Sequence, residues 1–182
     1  FSHNQFKINF SKKKLTYFNF LFYKFKINKR QKRKKFDLIF YFKKNNNKGN
    51  YFLIKLIKNI PKNFKIAIIG DKVELNKSNQ NINNFGTLSR NKAIKIIKLS
   101  KYALTTKENH FSFFALDSLS EGLMVFYNKN LKFFGDVKTN MLLPMNFNNY
   151  EYSINYLKKQ LTSKHKKKYF KFKLKNFDDY LK

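Results

Sequence analysis

Three short-range carboxylate pairs, Asp71 with Glu74, Asp117 with Glu121 and Asp178 with Asp179, are the groups in this sequence whose spacing could hold a divalent cation. A lone pair of this kind is a weak motif, because acidic turns and helix ends produce it for other reasons. Glu108-Asn109-His110 sets an imidazole two residues from a carboxylate. The other histidines, His3 and His165, lie in distant basic segments, and no second histidine stands at helical spacing. The phosphate loop G-x-x-x-x-G-K-[ST], the dinucleotide fingerprint G-x-G-x-x-G and the nucleophile elbow G-x-S-x-G are all absent. Without cysteine, neither a disulfide frame nor a thiolate metal site can form. These residues predict no enzyme, no cofactor and no bound metal.

Charge carries a stronger signal. Forty Lys and Arg against ten Asp and Glu give a formal charge of +30 on 182 residues, a self-repulsion that phosphates of a polyanion would relieve with release of counterions. A solvated polycation would be poor in apolar residues, yet 42% of this chain is hydrophobic and 19% aromatic, so part of it must fold. The densest cationic blocks are Lys29, Arg30, Lys32, Arg33, Lys34 and Lys35 near one end and Lys166, Lys167 and Lys168 near the other. Both are candidate nucleic-acid contacts. Usage of Phe, Lys, Asn, Ile and Tyr also follows what an AT-rich genome writes into any protein. No apolar run reaches the roughly 18 to 20 residues of a membrane span, and the predicted partners include no small-molecule substrate.

The elements that would position these groups are legible in part. Residues 1–50 alternate aromatic patches with basic blocks and read as an arm that orders against RNA. Ile66-Ala67-Ile68-Ile69, short and bounded by Pro61 and Gly70, suits a buried strand. Residues 75–84 are Asn-rich and turn-like. From Lys92 to Ala103 the spacing predicts an amphipathic helix, with Ser89 or Asn91 as its cap and Lys92, Lys95, Lys98 and Lys101 along its outer face. Residues 111–134 are poor in charge and predict two strands, or a strand and a helix. Phe170, Phe172 and Leu174 alternate with lysines, the period of an edge strand. The chain therefore divides into a basic aromatic extension (1–50), a small core (51–135) and a basic C-terminal extension (136–182).

The run Pro61-Lys62-Asn63-Phe64-Lys65-Ile66-Ala67-Ile68-Ile69-Gly70-Asp71-Lys72-Val73-Glu74-Leu75-Asn76-Lys77, followed by Thr87-Leu88-Ser89-Arg90-Asn91 and Thr105-Thr106-Lys107-Glu108-Asn109, resembles the N-terminal rRNA-binding domain of the bacterial-type and mitochondrial large-subunit ribosomal protein L-nine family over about residues 61–110. The resemblance implies an α+β fold, a small three-stranded antiparallel sheet with a short helix, with Lys77, Arg90 and Asn91 facing RNA. It further implies a structural constituent of an organellar, mitochondrial large ribosomal subunit, partnered by ribosomal RNA and neighbouring ribosomal proteins. Gly86-Thr87-Leu88-Ser89-Arg90-Asn91-Lys92-Ala93-Ile94 is also similar to the strand-turn-helix of the N-terminal domain of translation initiation factor three, so a ribosome-associated translation factor is one alternative reading, and a small-subunit or other mitoribosomal protein is a second. A chain opening at Phe1 instead of Met agrees with import into an organelle.

Overall fold

The computed structural model describes residues 34–44, 50–74, 81–106, 113–130, 136–163 and 170–173. Within them the short apolar runs become parallel strands. Phe36–Phe42 forms β1, Asn50–Asn59 helix α1, Ile66–Gly70 β2 and Ile82–Asn84 β3. Arg90–Lys98 forms α2, Ser100–Leu104 β4, Phe113–Ser120 α3 and Met124–Asn128 β5. Asp136–Thr139 is β6, Leu142–Met145 β7, Tyr150–Thr162 α4 and Phe170–Lys173 β8.

Six strands make one sheet in the order β3-β2-β1-β4-β5-β7, and every neighbouring pair in it is parallel. A parallel sheet must be covered on both faces, and its strands read as nearly continuous apolar runs. β2 is buried along its whole length, and β1 and β5 nearly so. Alternate side chains part to the two sides. Leu38, Phe40, Ile66, Ile68, Leu104 and Phe126 meet Leu53, Leu56 and Ile57 of α1 and Ile154 and Leu157 of α4. Ile39, Ala67, Ile69, Ala103 and Val125 meet Ile97 of α2 and Phe114 and Leu119 of α3 on the other face. Each fully buried Leu, Ile or Phe contributes on the order of 2 kcal/mol from lost apolar hydration.

From β1 the chain steps outward to β2 and β3, then returns to the other side of β1 to lay down β4, β5 and β7. This is a doubly wound α/β order, with its reversal between β1 and β4. β6 and β8 form a separate antiparallel pair.

The expected three-stranded antiparallel sheet is therefore corrected. The segment 61–110 holds three strands of a parallel sheet, β2, β3 and β4, and β1 sits between β2 and β4. The large-subunit ribosomal role and the initiation-factor alternative, both drawn from small ribosome-bound domains, are withdrawn with that fold. The segment boundaries at 50/51 and 135/136 cut through this sheet, since β1 lies before the first and β7, with α4 behind it, after the second.

The lysine-faced helix is also shorter than its spacing suggests. It ends at Lys98, where the Leu99 N–H turns back to the Ile96 and Ile97 carbonyls. Lys101, Tyr102 and Ala103 belong to β4, paired with β1. Pairing with a buried central strand overrides the three-residue period that carries on through Lys101.

Candidate functional site

In a sheet whose strands all run one way, the carboxyl ends of the strands and the amino ends of the helices that follow them gather along one edge. Beyond β1 at that edge come Lys43 and Lys44, both exposed, and beyond β2 comes Asp71. The three are tied together. The Lys44 N–H donates to Asp71 Oδ2 at 2.7 Å, the Asp71 N–H donates to the Phe42 carbonyl at 2.8 Å, and Lys43 Nζ lies 3.4 Å from Asp71 Oδ1. The Lys44 backbone donor is the main cause that holds the Asp71 carboxyl below its ordinary value; desolvation works against it and the charge of Lys43 supports it.

The strand ends approach so closely here that Gly70 is required. Its φ is +104°, and a Cβ would stand 2.1 Å from the Phe42 carbonyl oxygen. The Gly70 N–H donates to the Gly86 carbonyl at 2.9 Å, and Thr87 Oγ1 donates to the Gly70 carbonyl at 3.1 Å. The loop after β3 is thereby fastened to the end of β2.

Across the reversal, β4 runs into Thr105 and Thr106, both buried. Thr105 donates to the Phe126 carbonyl through its N–H and its hydroxyl, at 3.0 and 3.2 Å. On the helix that follows β4, α3, Asp117 is a buried carboxylate gripped by Arg90 from the first position of α2, with Nη2 to Oδ1 at 2.8 Å and Nε to Oδ2 at 3.2 Å. Burial raises the Asp117 carboxyl above its ordinary value, and the Arg90 guanidinium opposes that rise. The same guanidinium lies 5.4 Å from the centre of the exposed Phe113 ring.

The candidate RNA contacts from the sequence divide between opposite ends of the sheet. Arg90, Asn91 and Lys92 open α2 at the carboxyl edge, with Asn91 and Lys92 exposed. Lys34, Lys35, Lys98 and Lys101 come together at the amino edge. There Lys34 Nζ donates to the Lys98 carbonyl at 2.6 Å, Lys98 pairs with Glu121 at 3.6 Å, Lys101 pairs with Asp37 at 2.6 Å, and Lys35 Nζ sits 5.6 Å from the Phe36 ring centre. Lys95, exposed in the last turn of α2, lies between the two ends. Lys29, Arg30, Lys32, Arg33, Lys77, Lys166, Lys167 and Lys168 lie outside the described residues, as do His3, His110, His165, Asp178 and Asp179.

Of the remaining carboxylate pairs, Asp117 and Glu121 are engaged by different cations, Arg90 and Lys98. Among the described residues no group of three or more His, Asp or Glu converges on a point where a metal could sit. No helix among them is long and apolar enough to cross a membrane. The sequence places Lys43 and Lys44 among the basic blocks of the RNA-ordered arm and does not mark Tyr51, Phe113 or Tyr152 as site residues. Their signal is position alone: each lies just past a strand end or in the first turn of a helix that follows one.

No family model matches the chain, and no curated protein matches it. Among solved structures it is similar to the E. coli heptosyltransferase WaaC with ADP, at 9% sequence identity and a TM-score of 0.45, over 69% of this chain and 43% of that one. The chain thus spans less than half the length of that protein, and a likeness at this level adds nothing to the strand order.

Proposed function

We propose that this chain is a ligand-binding α/β domain that holds a small phosphate-bearing molecule, of the size of a nucleoside diphosphate, against the carboxyl edge of its sheet between β1 and β4. The strand order carries this reading. Where the winding reverses, the helices that follow β1 and β4 pack on opposite faces of the sheet, the arrangement in which open α/β sheets take ligands in a crevice beyond the strand ends. Leu53 of α1 and Phe114 of α3 bury on opposite faces, as that geometry requires.

Phosphate is the chemistry that suits the rim of the crevice. Lys43 and Lys44 follow β1 directly, and neither α1 nor α3 has an acidic residue in its first turn to offset the positive end of its peptide dipoles. Thr106 follows β4 on the other side of the reversal, where the Thr105 hydroxyl is already taken up by the Phe126 carbonyl.

Calorimetric titration of the full chain with ADP and with adenosine tests the reading. Saturable binding of the diphosphate, with the nucleoside at least about tenfold weaker, is expected where phosphate contributes a charge-assisted contact. The Lys43→Glu/Lys44→Glu double variant should lower ADP affinity by a further factor of about ten, whereas Lys92→Glu/Lys95→Glu on the outer side of α2 should leave it unchanged. Equal losses from both double variants, or no saturable binding, would refute the site.

A further inference from the structure

Among the described residues the large apolar side chains left exposed are Tyr51, Phe113 and Tyr152, at 80%, 67% and 55% of their free surface. All three are aromatic. No leucine, isoleucine or methionine among those residues is exposed. All three also occupy equivalent places: Tyr51 is the second residue of α1, Phe113 the first of α3 and Tyr152 the third of α4. Each of these helices follows a parallel strand, so the three rings stand on the carboxyl edge, Tyr51 and Tyr152 on the α1/α4 side and Phe113 on the α3 side.

Cations accompany them. Arg90 lies over Phe113, and Lys55 Nζ lies 4.5 Å from the centre of the Tyr150 ring between α1 and α4. Lys43, Lys44, Lys72 and Lys129 are exposed just past the ends of β1, β2 and β5. The acidic groups of this edge are Asp71, tied to Lys43 and Lys44, exposed Glu74, exposed Glu151 beside Tyr152, and buried Asp117.

We propose that this rim is a docking surface for single-stranded nucleic acid, whose bases stack on Tyr51, Phe113 and Tyr152 while its phosphates run past the neighbouring lysines and Arg90. Base stacking needs exposed ring faces beside positive charge, and it tolerates any base because every base has a π face. The +30 charge of the chain matches a polyanion. A lipid surface is the other polyanion of this kind, but helices that enter it present bulky aliphatic groups together with aromatic ones, and the exposed set here contains none. The rim shares Lys43, Lys44 and the first turns of α1 and α3 with the phosphate site proposed above, but the three rings take no part in that site, so ring variants and ADP binding test the two readings separately.

Fluorescence anisotropy of the full chain with a labelled oligouridine of about 12 nucleotides, enough to run past several rings, tests it against inorganic polyphosphate of similar charge. Tyr51→Ala/Phe113→Ala/Tyr152→Ala should weaken oligouridine binding about tenfold or more, the effect of losing stacked bases, and leave polyphosphate binding unchanged. Tyr51→Phe/Tyr152→Phe, which keeps every ring, should bind like the parent. The substituted side chains are exposed, though Tyr152 also stacks on Tyr156 at 6.1 Å, and the melting temperature of the triple variant checks that the fold is kept. Equal weakening toward RNA and polyphosphate would show that the rings act only through the fold or the charge and would overturn the proposal. So would unchanged RNA binding, or a loss confined to phosphatidylglycerol vesicles.

Discussion

Gly70 and Gly86 both have positive φ, at +104° and +67°, but for unlike reasons. A methyl group on Gly70 meets the Phe42 carbonyl at 2.1 Å, while on Gly86 its nearest neighbours are carbons of the Lys72 side chain at 3.8 Å. Gly70→Ala should therefore cost about 3 kcal/mol or more by prying β2 from β1, and Gly86→Ala only about 1 kcal/mol, the price of a left-handed backbone with a Cβ. Urea midpoints of the two variants check this, and equal losses would contradict it. Asp71 makes a prediction in pH. Its carboxyl is held below the ordinary value of 3.8, chiefly by the Lys44 N–H. A depressed carboxylate contributes stability above its unfolded value and loses it as pH falls through the folded one. Asp71→Asn should lower the melting temperature at neutral pH, and the two melting curves should converge well below pH 3.8. A gap that stays constant on acidification would show that the charge plays no part. These residue contacts were not legible in the sequence, where Asp71 stood out only as half of a carboxylate pair with Glu74.

At the scale of elements, the helix starts differ in a way that mutation can read. Asn149 caps α4, its side chain accepting the Tyr152 N–H at 3.0 Å, whereas Ser89 at the start of α2 makes no side-chain cap bond. Asn149→Ala should cost about 1 kcal/mol and Ser89→Ala close to nothing. Thermal unfolding of both variants decides, and a larger loss at Ser89 would contradict the assignment. α3 closes with Gly122 at φ +76°, where the Gly122 N–H donates to the Leu119 carbonyl and the Leu123 N–H to the Ser118 carbonyl, the left-handed stop that feeds the chain into β5. Glu121-Gly122 was legible as a break between two apolar groups for this reason. β2 was legible too, as four apolar residues between Pro61 and Gly70. β1 was harder, because Asp37 interrupts its apolar run. In the fold that carboxylate accepts the Lys65 N–H at 2.9 Å and pairs with Lys101 at 2.6 Å, binding the starts of β2 and β4 to β1. A charge that looks like a flaw in a strand is a tie between strands distant in sequence.

For the whole molecule the charge of +30 sets the solution behaviour. Like charges crowd together on folding, and added salt screens them within a Debye length of about 10 Å at 0.1 M. The melting temperature should rise as sodium chloride is raised from about 0.02 to about 0.5 M, a range over which that length falls severalfold. A fall would mean that attractive pairs such as Arg90–Asp117 and Lys101–Asp37 outweigh the repulsion. The sequence by itself determined the charge, the absence of cysteine chemistry, the existence of a folded apolar centre and the place of a buried strand at Ile66–Ile69. Composition and local period depend only on neighbours in the chain, so they could be read there. Tertiary structure alone decided that Phe36–Phe42 lies at the centre of a parallel sheet, that residues 100–104 leave the lysine-faced helix to pair with it, and that the candidate RNA residues among those described divide between the two ends of that sheet. Parallel strands buried on both faces show no alternation to mark an inner side. Their pairing joins residues about 60 positions apart, such as Leu38 with Tyr102, and no local pattern encodes which distant run will lie beside which.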